Sequence, residues 1–316
     1  MKLIDIIRYY LMHIKNAYRQ RKILYGNKYN SDRTAYNIIR LTHSVEKGLS
    51  IEKPRLGYGE AKQNELMELI CKLKNSKNKL HMEAIRMGVD ALNEYLIYHD
   101  KMKFQNSHTQ KIRIFLKDYV CSDPEYVAGG VYHLCKSDMN FNVSEIEKLF
   151  KTRHSIRIFD DSDIDDDKIE KAVKLAQTCP SACNRQGVRV YGIKPEKADF
   201  FKEWMTGTGG FEKNIKEFIL ITAKLSAYRD NEPYQYIVSA SIFAAYLSLT
   251  LHAYGLGACI VQRPVIWNEA WERVRLKMKI DEDEQAICIL GVGNLKKDFD
   301  VPVSHRLDED IVFTEL

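Results

Sequence analysis

No Asp, Glu, Lys or Arg occurs between Glu232 and Arg263. Within that stretch, Tyr236 to Leu251 is dense in Ile, Val, Ala, Leu, Phe and Tyr. A bilayer span needs about 20 consecutive apolar residues. Here Ser239, Ser241, Ser248, Thr250 and His252 interrupt the run, and Gly255 and Gly257 end it. A helix apolar over most of its circumference must then be buried, in a core or a subunit interface. The rest of the fold has to supply its cover.

The surroundings supply alternating elements. Ser144 with Glu147 three residues on has the capping-box pattern and opens a short helix to about Lys151. Ile156 to Phe159 reads as extended, and Asp165 caps a helix whose Ile169, Ala172, Val173 and Ala176 share a face. Pro180 stops it. Strands are predicted at Val188–Ile193, Phe218–Thr222, Ala258–Val261 and Ala286–Val292, with a terminal extended piece at Ile311–Phe313. Helices are predicted at Pro195–Met205, Pro233–Tyr254 and Trp267–Met278, with a flexible Gly207–Gly210 loop. The pattern is α+β: a small mixed sheet flanked by helices over residues 144–316.

The first 143 residues read as mainly helical. Leu3, Ile7, Tyr10, Leu11, Ile14 and Tyr18 recur at helical spacing, and helices are predicted at 60–74 and 80–100. His43-Ser44-Val45-Glu46-Lys47-Gly48-Leu49, followed by Pro54, Gly57 and Gly59, reads as a helix end and an ordered loop. The 316-residue chain carries a net charge of +5, but residues 1–40 alone hold nine Lys/Arg against Asp5 and Asp32. Such a basic region suits a solvated face or an anionic partner, including a membrane surface. It lacks a nucleic-acid-binding motif, so no nucleic-acid partner is expected. Seven scattered cysteines and an N-terminus unlike a leader point to a reducing, cytoplasmic setting without a disulfide scaffold.

Three clusters carry chemistry. Arg153-His154-Ser155-Ile156-Arg157 places two guanidinium groups on one side of an extended segment, suited to a phosphate or an electron-rich ring edge. Pro180-Ser181-Ala182-Cys183-Asn184-Arg185-Gln186 offers two carboxamides that both donate and accept. Cys179 and Cys183 have no second cysteine pair to complete a metal site; a redox pair or two ordinary thiols remain. Gly255-Leu256-Gly257, leading into Ile260-Val261-Gln262, permits a tight turn or a close backbone approach.

Taken in this order, with Gly291-Val292-Gly293 and Arg306 near the C-terminus, residues 144–316 resemble the FMN-dependent nitroreductase family. The resemblance implies a nitroreductase-like fold and a homodimer with a flavin at each interface. Arg153, His154 and Ser155 would hold the phosphate and ribityl end, with Arg306 also at the phosphate. Arg157 would lie near the pyrimidine end, and Asn184 and Gln186 would address the ring edge. Pro180, Ser181 and Ala182 would line the site from the partner, while Ile260, Val261 and Gln262 pass beside the ring. Ser304 stands where the family often has a further cation, and Arg263 where many relatives have Gly. Residues 1–143 resemble the extension on nitroreductase-like proteins of bacterial polysaccharide gene clusters, through the 43–49 motif and Pro54–Gly59. His43, Glu46 and Lys47 are then candidates for substrate contact.

The expected activity is hydride transfer from NADH or NADPH through FMN to a small organic acceptor, with ping-pong kinetics. Alternatives are flavin-dependent modification of a sugar- or lipid-linked intermediate, and a non-enzymatic flavin-binding scaffold. No acid–base pair stands out, and no catalytic side chain is named.

Overall fold

The computed structural model describes residues 3–119, 127–199, 209–262 and 269–315. Five helices come first: α1 (Leu3–Tyr25), α2 (Asn30–Leu49), α3 (Glu60–Leu73), α4 (Lys79–Lys101) and α5 (Ser107–Leu116). Short polar side chains cap the N-termini of α4 and α5. Asn78 accepts from the Leu80 amide, and Asn106 forms a reciprocal capping box with Thr109. Ile38, Leu41 and Val45 of α2 meet Leu66 and Ile70 of α3 and Leu92 and Tyr95 of α4 in one core.

The 43–49 motif differs from its expected loop. Helix α2 runs through it to Leu49, and the turn begins at Ser50. Gly48 does not break the helix, because the site excludes a side chain: a Cβ there would overlap the Tyr58 ring.

Four helices and four strands build most of the second half: α6 (Val143–Thr152), α7 (Asp166–Ala176), β1 (Val188–Ile193), β2 (Glu217–Lys224), α8 (Gln235–Ala253), β3 (Leu256–Gln262), α9 (Glu269–Lys277) and β4 (Glu284–Asn294). Ser144 is not the cap of α6; Asn142 is, its Oδ1 accepting from the Ser144 amide at 3.1 Å and hydroxyl at 2.8 Å. Asp165 caps α7 as expected. The terminal piece is not extended: Glu309–Val312 forms a one-turn helix, α10. The Pro195 helix starts with a single 3₁₀ turn, Pro195–Lys197. Residues 200–208, 263 and 267–268 of the expected elements lie outside the described residues.

The sheet order is β1-β2-β4-β3, and every neighbouring pair is antiparallel. Its parallel component is one bridge, Ser155 to Ala258. Alternation along the strands serves two layers. Ile219, Ile221 and Leu290 face α8 and join the core that continues through α2, α3 and α4. Phe218, Leu220, Ile289 and Val261 face Trp271 and Val274 of α9. Helix α8 meets the length and hydropathy of a membrane span, yet half of that apolar window is buried. Ala240, Phe243, Leu247 and Leu251 cover the sheet; Val238, Ser241 and Tyr246 stay exposed.

A dense polar corner joins the two halves where β4 begins. Lys224 lies 3.5 Å from Asp281 and Asp283 and 3.7 Å from Glu284. Tyr191 and Thr222 hydroxyls donate to Glu284, and Tyr29 donates to Asp281. Asp283 accepts from the Ser226 amide at 2.8 Å. Burial pushes its carboxyl up to about 6, with Lys224 opposing the shift. From α1, Arg19 enters this corner and donates to Gln285 Oε1 and to the Glu282 and Glu284 carbonyls.

Candidate functional site

The first and third clusters meet. The Ile156 amide donates to the Ala258 carbonyl at 3.0 Å, laying Ser155 beside β3. Close approach requires Gly257, where a Cβ would come within 2.9 Å of Ile156 Cγ2. Gly255 carries a φ of +76° at the end of α8, while Leu256 and Gly257 already belong to β3. The expected turn is therefore one glycine followed by strand.

Positive charge accumulates there. Arg153, His154 and Ser155 are half-buried, and Thr152 Oγ1 lies 2.8 Å from His252 Nε2. Burial lowers the His252 pKa, and the charges of Arg153 and His154 lower it further. Arg157 is exposed, with its guanidinium 5.9 Å from the Phe211 ring centre. Among the described residues, no carboxylate forms an ion pair with Arg153, Arg157 or Arg306. Arg306 stands on the exposed tail and donates to the Ser304 carbonyl. Ile260 is exposed and Val261 buried, as a strand's alternation requires. Gln262 ends β3; its side chain lies outside the described residues.

The second cluster is a tight loop. The Asn184 amide donates to the Ser181 carbonyl, and the Gln186 amide to Ser181 Oγ at 3.1 Å. Gln186 Nε2 donates to Asn184 Oδ1 at 3.2 Å. Cys183, Asn184 and Gln186 all hold φ near +50°, a conformation costly for side-chain-bearing residues. Pro180 is exposed, and Ala182 is half-buried in a 3₁₀ turn with Cys183 and Asn184.

Sequence reasoning missed what fixes this loop. Arg185 is 2% exposed and clamps Glu232 through two bonds of 2.7 and 2.9 Å. Its Nε donates to the Ala182 carbonyl, and its guanidinium lies 4.8 Å from the Tyr228 ring centre. Arg185 holds the Glu232 carboxyl below its ordinary range. The available signal was Glu232, the last acid before the charge-free helix. A cavity of about 380 Å³ opens beside the loop, lined by Val173, Cys179, Ser181, Gln186, Ser239 and Phe243. Burial raises the Cys179 thiol's pKa, which disfavours an activated thiolate, and Cys179 and Cys183 are both free.

One chain does not bring the second cluster to the other two. The β1 entry pairs through Ala223 to the Gln285 row, while Ala258 pairs with Val292. Strand spacing and rise put the two places about 14 Å apart across the sheet and about 23 Å along it. The 182–184 turn instead packs on α2. On that helix His43 Nδ1 lies 3.4 Å from Glu46 Oε2, and Glu46 Oε1 accepts from the Gly130 amide. Lys47 is exposed.

Residues 150–225 match the model of the nitroreductase family. The matched stretch holds the first two clusters. Solved structures are similar over about half of the chain. An FMN-dependent nitroreductase from Clostridium difficile R20291 is 26% identical over 53% of this chain and 98% of its own, with a TM-score of 0.45. The nitroreductase CinD from Lactococcus lactis, in complex with 4-nitrophenol, is 18% identical over 54% and 99%, with a TM-score of 0.46. A nitroreductase family protein from Streptococcus pneumoniae TIGR4 is 18% identical over 54% and 100%, at 0.45. No curated protein matches the chain.

The donor chemistry suits a flavin mononucleotide. Arg153, unpaired with any carboxylate among the described residues, and the His154 ring bring donors for a phosphate. Asn184 and Gln186 bring donors and acceptors for a polar ring edge. Gly257 keeps the backbone of β3 close and bare.

Proposed function

We propose that residues 144–316 bind FMN between two copies of the chain and act as an oxidoreductase, passing hydride from NADH or NADPH to a small organic acceptor. The observation that carries this reading is the half-buried Arg153–His154 pair beside His252, registered against β3 by the Ser155–Ala258 bridge. Arg153, His154 and Ser155 would hold the phosphate and ribityl end, with Arg306 folding in from the tail. Arg157 would stand at the pyrimidine end, where a guanidinium favours accumulating negative charge. Ile260, Val261 and Gln262 would run beside the ring.

The distance across the sheet supports a homodimer, because Pro180, Ser181, Ala182, Asn184 and Gln186 must then come from the other copy. The exposed faces of α6, α8 and the tail, with Phe150, Val238 and Phe313 among them, offer apolar surface for that contact. The chemistry FMN supplies when bound is hydride transfer through its N5, in alternating half-reactions. The chain's own groups bind, orient and polarise; none is assigned as a proton donor. Residues 1–143 would cover the site and select the acceptor, with His43, Glu46 and Lys47 on α2 as the contact residues. A cytoplasmic location fits this reading.

Reconstitution tests it. Purified protein should take up one FMN per subunit, and NADH or NADPH should bleach that flavin anaerobically. Arg153→Ala should weaken FMN binding by about 1.5–3 kcal/mol, the worth of a charged hydrogen bond. No uptake of FMN, or unchanged affinity in a folded Arg153→Ala protein, would overturn the assignment. Uptake without bleaching would favour a flavin-binding scaffold.

A further inference from the structure

Helix α1 turns its apolar stripe outward. Leu3, Ile7, Tyr10, Leu11, Ile14 and Tyr18 are 49–71% exposed. At 3.6 residues per turn they share an arc of about 100°. The opposite face is pinned, with Arg19 and Ile23 buried and Arg19 bonded to Gln285 and to two carbonyls at the start of β4. Tyr25 adds a bond to Asp230 at 2.6 Å. The stripe therefore cannot roll inward without breaking that anchor.

Cations border it on one side. Arg8, Lys15 and Lys22 recur every seven residues along that side, and Arg21 falls within the arc itself near the helix's C-terminal end. Lys22 pairs with Glu282 at 3.1 Å, while Arg8 and Lys15 border a shallow cleft with Glu269 and Arg273 of α9. Asp5 is the only acid in α1, and helical geometry puts it on the pinned side. A second copy laid antiparallel on this stripe would set like charges together. An anionic bilayer offers both complements: apolar depth for Leu and Ile, and phosphates for the cations. Tyrosines suit the headgroup level, and Lys and Arg stems reach along apolar surface to charged heads.

We propose that α1 is an interfacial helix that lays this stripe into the surface of an anionic phospholipid membrane. The inference stands on α1 alone and does not depend on the flavin reading.

Vesicle flotation of the full chain tests it, using phosphatidylcholine vesicles with and without phosphatidylglycerol. The wild type should float with the phosphatidylglycerol vesicles at low salt, and much less with neutral vesicles or at high salt. Ile7→Glu/Ile14→Glu should lose about 100-fold or more in partition. Arg8→Gln/Lys15→Gln, a milder surface change, should lose about five-fold per cation. Both variants should keep the wild-type melting temperature and oligomer size. Three results would overturn the proposal: no flotation at low salt, wild-type flotation of the isoleucine variant, or equal binding to neutral vesicles. A smaller oligomer in the isoleucine variant would also overturn it, by assigning the stripe to contact between copies.

Discussion

Two corners of one sheet gather charge in opposite ways. Where β4 begins, Lys224 sits among Asp281, Asp283 and Glu284, while Arg19, Tyr29, Tyr191 and Thr222 satisfy the remaining oxygens and carbonyls. Where β3 begins, Arg153, His154 and His252 crowd together, and among the described residues no acid pairs with Arg153 or Arg157. The first corner sets its cation among its acids and joins the N-terminal helices to the sheet. The second is electrostatically incomplete, as a site awaiting an anion should be. Both are rich in ionisable groups; partnership, rather than burial alone, separates a brace from a candidate binding site.

Mutations should divide along the same line. The largest expected effect is at the first corner: Lys224→Met removes the cation shared by three carboxylates, leaving Asp281 only Lys28 at 3.9 Å, and should cost about 3–5 kcal/mol in urea unfolding. A loss under about 1 kcal/mol would break the comparison. Next comes pH. The folded state keeps the Asp283 proton up to about pH 6, whereas the unfolded chain releases it near pH 4. The stability this group contributes at low pH is therefore lost as pH rises through that window. At about 1.4 kcal/mol per pH unit, wild type should lose about 2–4 kcal/mol relative to Asp283→Asn between those limits. Parallel pH profiles of the two proteins would dismiss the assignment.

The incomplete corner should behave in reverse. Arg153→Ala should change unfolding stability by no more than about 0.5 kcal/mol while weakening FMN binding. The smallest effect is a direction. Inorganic phosphate or FMN should raise the His252 pKa, because the anion offsets Arg153 and His154. Proton-detected titration of the ring reads that shift, and no movement would argue against an anion at this place.

Much of the sheet was legible in the sequence. Each predicted strand lies within an observed one, because runs such as Phe218–Thr222 are short, apolar and rich in β-branched residues. The meeting of Arg153–Arg157 with Ala258 was legible only through the order of motifs, since about a hundred residues separate them. The outward stripe of α1 was hidden. Periodicity reports a face but not its direction, and Arg19 finds its acceptors some 265 residues away. The same limit concealed the Arg185–Glu232 clamp and the acidic corner. The 43–49 helix escaped because Gly48 and Pro54 carry turn signals, while the Tyr58 ring that makes Gly48 fit comes from the following loop.

The 181–186 loop has a further consequence. Three residues with side chains sit in left-handed backbone wells there, and the buried Arg185 holds them so. Such a posture is unfavourable in a free peptide, by order 1–3 kcal/mol at each position. The chain has met this entropy and strain while folding, before any ligand arrives. A ring docking against those carboxamides would find them preset, and little of its affinity would go into ordering them. Cys183→Gly, by letting the left-handed posture form without strain, should then raise the melting temperature of the free protein.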